Sequence, residues 1–124
     1  MSARIISIIL GLVLIAAGAV GFLPGQNIVS SQGLFAVDLA HNVVHIASGV
    51  LLLILPFIIG GKQSLLLLGV VYAAIAVLGL LNPADNFLIA GQIAMNQADR
   101  YILHPALAAV LLLAGLVFSN RTNE

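Results

Sequence analysis

Four apolar runs, broken only by small or isolated polar side chains, divide this chain: approximately Ile5 to Leu23, Leu39 to Ile59, Ser64 to Leu81 and Tyr101 to Phe118. Each is long enough for a helix to cross about 30 Å of hydrocarbon at about 1.5 Å per residue. The pattern therefore predicts an all-α membrane protein, a single domain over residues 1–124 made of four transmembrane helices. Gly60-Gly61-Lys62-Gln63 is a tight turn between spans two and three, whereas Pro24 to Asp38 and Asn82 to Arg100 are long loops. Ile28-Val29 and Leu34-Phe35 in one loop, and Phe87-Leu88-Ile89 and Ile93-Ala94-Met95 in the other, read as short interfacial segments broken by Gly33 and Gly91.

The two halves repeat. Pro24, Asn27 and His45 recur fifty-nine positions later as Pro83, Asn86 and His104, so both halves read P-x-x-N, seventeen residues, then H. Upstream, Leu10 to Leu23 matches Leu68 to Leu81 at six of fourteen positions, Gly11 with Gly69 and Gly21 with Gly79 among them. Such self-similarity predicts two tandem hairpins, residues 5–59 and 64–118. Each repeat holds two spans, so the second inserts in the same direction as the first, related by an axis along the membrane normal. Ala17-x-x-x-Gly21 and Gly69-x-x-x-Ala73 are small-residue pairs that let helix backbones approach.

Composition reinforces the class, since 62% of the 124 residues are hydrophobic and 6% charged. Four Lys plus Arg balance four Asp plus Glu, which leaves no basic patch for nucleic acid. Absence of cysteine excludes disulfides, thiolate metal sites and thiol catalysis. Arg4 before an apolar run and Ala17-Gly18-Ala19 look like a secretory signal, but the apolar core exceeds the roughly 7 to 15 residues of such peptides, so a retained helix is expected. Arg4, Lys62 and Arg121 fall on one side of a four-span protein and Arg100 on the other, which favours cytoplasmic termini.

Candidate chemistry concentrates in span two. Asp38, His41, His45 and Ser48 are spaced three, four and three residues apart and share one helical stripe, with Asn42 beside it. The His41-x-x-x-His45 spacing lets two imidazoles share a metal, and Asp38 is placed to join them or to orient His41 from the second shell. The repeat preserves only one histidine, because Arg100 matches His41 and Gln97 matches Asp38, so His104 is the further ligand candidate. Three roles stay open for His45 and His104: a lock pinning each long loop through Asn27, Asn86 or a loop carbonyl; a transition-metal site, or less readily a haem; and a proton or small-molecule path. Pro105 offers two starts for span four: His104 caps a helix beginning at Pro105, or Asp99 caps it and the proline bends it one turn in.

HNVVHIASGVLLL in span two, with N-P-A-D-N and N-Q-A-D-R-Y-I-L-H before span four, resembles small bacterial four-span membrane proteins classed as a domain of unknown function. The resemblance covers nearly the whole chain and implies a bacterial inner-membrane location and four helices, with no activity to transfer. In such proteins an Asn or Asp shortly precedes the histidine of each half, here Asn42 before His45 and Asp99 before His104. Pro24, Pro83, Asn27, Asn42, Asn86 and Asp99 are accordingly expected to be structural. The chain has no G-x-S-x-G, phosphate loop, H-E-x-x-H or carboxylate pair at helical spacing, which points away from an enzyme. The expectation is a non-catalytic accessory subunit or scaffold in contact with lipid, with other membrane subunits or its own copies as partners. Outer-leaflet metal binding through His41, His45 and His104 is the rival.

Overall fold

The computed structural model describes residues 1–23, 29–30, 35–36, 39–81, 87–89, 93–95 and 99–120, with backbone only at 29–30, 35–36, 39, 87–89, 93–95 and 99–100. Four α-helices form: α1 Ala3–Val20, α2 Leu39–Ile54, α3 Gly61–Leu81 and α4 His104–Val117. Three helical stretches, Ala3–Val20, Ala40–Phe57 and Gly61–Leu81, are long and apolar enough to cross a membrane, and the fourth is shorter. In the loops, β1 Val29–Ser30 pairs in parallel with β2 Phe35–Ala36, and β3 Phe87–Ile89 pairs antiparallel with β4 Ile93–Met95. The apolar loop segments thus pair their backbones with one another, satisfying groups that hydrocarbon would leave unpaired.

Several of the described helix ends have a local cause. Ser2 caps α1, its Oγ accepting from the Ile5 N–H at 3.3 Å. At the far end α1 stops at Val20, three residues before the expected Leu23, where Phe22 and Leu23 tighten into i→i+3 bonds onto Ala19 and Val20. The second span becomes a 3₁₀ turn at Leu55–Phe57 because Pro56 has no N–H to give the Leu52 carbonyl. That carbonyl accepts instead from Ser7 Oγ of α1 at 2.8 Å. Gly60, at φ +98, turns the chain into α3.

The helices pack chiefly within two hairpins, α1 on α2 and α3 on α4. Leu14, Leu52, Leu65, Leu68, Tyr72, Ala108 and Leu111 form the buried core, while Leu12, Val13, Val70, Leu113 and Val117 are exposed as a lipid-facing helix surface requires. The first hairpin closes at Gly11 and Gly49, where a Cβ on either residue would lie 2.7 or 2.5 Å from the other's carbonyl oxygen. At one end the Ala3 N–H donates to Ser119 O, the Lys62 N–H donates to Asn120 Oδ1, and Arg4 lies 4.9 Å over the Phe57 ring. The start of α1, the α2–α3 turn and the end of α4 therefore meet there, and the long loops leave from the opposite end.

Candidate metal centre

The His41, His45 and Ser48 stripe expected from spacing faces inward on α2, and His41, Asn42, His45 and Ser48 are all buried. At about 1.5 Å per residue, His45 lies about 9 Å and Ser48 about 14 Å along the helix from Leu39. His104 is the first residue of α4 and only 2% exposed. Helical winding is present from Asp99, as a π turn, Asp99–Leu103, that passes directly into α4, so the helix does not start at Pro105 and is irregular one turn before it, in keeping with the second of the two expected starts. Leu103, the residue at the N-cap, has helical dihedrals of φ −68 and ψ −54 and no side-chain cap bond. An α-turn would require a Pro105 N–H and would press the proline ring on the Tyr101 carbonyl; the wider π turn avoids both. The consequence is a buried histidine held within continuous helical winding, not at a helix start.

The three imidazoles converge. His41 Nε2 and His45 Nε2 are 3.1 Å apart, their rings edge to face at 4.5 Å. His104 stacks on His41 with centroids 5.3 Å apart and planes 18° from parallel, and lies 6.1 Å from His45. One ligand nitrogen from each histidine can be chosen so that all three lie within 4.8 Å of one another. Tetrahedral zinc with bonds of about 2.0 to 2.1 Å places its nitrogens about 3.3 Å apart. The His41–His45 edge, at 3.1 Å, already lies near that figure, and the set as a whole stays within 4.8 Å.

Tyr72 completes the centre and is the residue that sequence reasoning missed. It comes from α3, is 1% exposed, donates to Ser48 Oγ at 2.9 Å and stacks on His104 with centroids 5.9 Å apart and planes 16° from parallel. The available signal was a lone hydrogen-bonding side chain midway along an apolar span.

Asn42 turns the other way: its carboxamide fills the space over Gly21 that a Cβ would occupy, anchoring α2 to the end of α1. Among the described residues Asn42 Oδ1 and His45 Nδ1 have no hydrogen-bond partner. Asp38, Asn27, Asn86, Pro24 and Pro83 lie outside the described residues, as do the loop contacts of the proposed lock, and Asp99 is described by its backbone alone. A domain family model matches residues 4–117, nearly the whole chain. The chain belongs to the family described as Domain of unknown function (DUF4383). No curated protein and no solved structure matches it. Family membership therefore assigns no chemistry to the histidines, and their geometry has to carry the functional reading.

Proposed function

We propose that this DUF4383 protein is a membrane-embedded metal-binding protein whose His41, His45 and His104 hold one zinc or copper ion. The observation that carries the reading is the convergence of three buried imidazoles, from two helices, with ligand nitrogens within 4.8 Å of one another. Borderline nitrogen donors suit zinc and copper, and a neutral imidazole keeps a lone pair free for the ion. Two neutral imidazoles meeting nitrogen to nitrogen at 3.1 Å need one donor and one acceptor tautomer. A cation accepts both lone pairs without that constraint.

The reading places the site toward the outer leaflet of a bacterial inner membrane, with Arg4 and Lys62 at the cytoplasmic end. It also treats the hairpins as two copies, supported by the 59-residue recurrence and by the proximity of His45 to His104, ring centroids 6.1 Å apart. An accessory role remains compatible, because an ion-carrying chain can serve a larger complex through its exposed apolar helix faces. The test is metal analysis of protein purified in mild detergent after equilibration with Zn²⁺ or Cu²⁺. About one ion per chain is expected, reduced to background in His45→Ala; equal metal in both, or none in either, overturns the reading.

A further inference from the structure

Two hydroxyls sit deep in the helical layer where an apolar pair would pack as well. Tyr72 and Ser48 are 1% and 9% exposed, and the Tyr72 hydroxyl donates to Ser48 Oγ at 2.9 Å. Phenylalanine and alanine would fill the same space with no polar group to satisfy. In hydrocarbon, where helix association gains nothing from apolar burial, a polar contact of this kind is directional. Its direction is informative, since it joins α3 to α2, helices that otherwise meet little, across the division between the hairpins.

Ser48 lies three residues beyond His45 and seven beyond His41 on the same stripe, so a single rigid helix carries two of the proposed ligands and the anchor for Tyr72. Tyr72 in turn presents its ring face to His104, 5.9 Å between centroids and 16° from parallel. An imidazole rotates broadly about its last side-chain bond, so a helix backbone alone does not fix where its nitrogens point. A stacked ring tethered at its far end to the helix of the other two ligands does.

We infer that Tyr72, tethered by Ser48, is a positioning residue that aims His104 at the ion and so sets three imidazoles, not two, as the protein donors of the site. The inference rests on the metal-binding reading. Neither residue need touch the ion: Tyr72 acts through His104, and Ser48 acts through Tyr72.

The test is Cu²⁺ titration of the full-length protein in detergent, read by affinity and by the nitrogen hyperfine pattern in electron paramagnetic resonance. Wild type should show three nitrogen donors. His104→Ala supplies the two-nitrogen reference. Tyr72→Phe keeps the stacking ring and loses the tether, and Ser48→Ala loses the tether from the other side. Each should move toward the two-nitrogen pattern and bind about 10- to 100-fold more weakly, the usual effect of removing an outer-shell partner. Ser48→Thr, which keeps a hydroxyl, should restore three nitrogens. Circular dichroism and size-exclusion profiles check folding, and if Tyr72→Phe fails to fold, Ser48→Ala and its threonine rescue decide. Wild-type affinity and three nitrogens in Ser48→Ala would overturn the positioning role while leaving the metal site standing. Absence of Cu²⁺ binding by wild type would overturn the metal reading, and this inference with it.

Discussion

Removing the Ser7 hydroxyl should cost more than a hydrogen bond inside a membrane protein usually does, because Pro56 has already deprived its acceptor of a donor. In an uninterrupted α-helix the Leu52 carbonyl would accept from the N–H four residues on, but residue 56 is proline. Ser7 Oγ, fully buried, supplies the donor from α1 at 2.8 Å. Interhelical hydrogen bonds in membranes average about 0.6 kcal/mol, since separated helices find other partners. An isolated α2 still lacks the Pro56 N–H, and an orphaned buried carbonyl costs about 1 to 3 kcal/mol. Ser7→Ala should therefore destabilise by about 1 to 3 kcal/mol, read from the unfolding midpoint in mixed micelles of mild detergent and dodecyl sulfate. In a Pro56→Ala background, where residue 56 regains its N–H, the same substitution should cost much less. The difference between backgrounds is a coupling energy on the order of 0.5 kcal/mol or more. A Ser7→Ala cost equal in the two backgrounds would refute the argument, whatever its size.

The helices were legible in the sequence because apolar length is the dominant signal in a membrane chain, and all four runs contain a helix. Their ends were less so, for reasons found in single residues. Pro56 sits inside an unbroken apolar run, and its effect is a change of helix type at Leu55, not a change in hydropathy. At Pro105 the sequence offered a start or a bend, and the chain adopts a π turn that hydrophobic periodicity does not distinguish. Spacing placed His41, His45 and Ser48 on one stripe, and the recurrence of P-x-x-N-x17-H singled out His104 as its counterpart. That the two meet depends on how one hairpin lies on the other, which is long-range information. Tyr72 was hidden for the same reason: its partners are 24 and 32 positions away, on two different helices.

Gly49→Ala should destabilise the first hairpin by about 1 to 3 kcal/mol, since its Cβ would lie 2.5 Å from Gly11 O where ordinary contact begins at 3.4 Å. The helices would have to part by about 0.9 Å (3.4 − 2.5), and a variant as stable as wild type in the same micelle titration would show that the contact is not tight. Gly60→Ala should cost about 1 to 2 kcal/mol, because φ +98 is a left-handed conformation that a Cβ disfavours; an unchanged unfolding midpoint would place the turn's stability elsewhere. Metal should stabilise the fold through the histidine centre alone. An ion that binds the native state at one hundred times its dissociation constant adds about 2.7 kcal/mol, so the thermal unfolding of wild type should rise with Zn²⁺ and return when a chelator removes it. His45→Ala takes away one of two nitrogens only 3.1 Å apart and leaves the outer helix faces untouched. Its unfolding should therefore not respond to Zn²⁺; a shift equal to that of wild type would mean that zinc acts on another part of the protein.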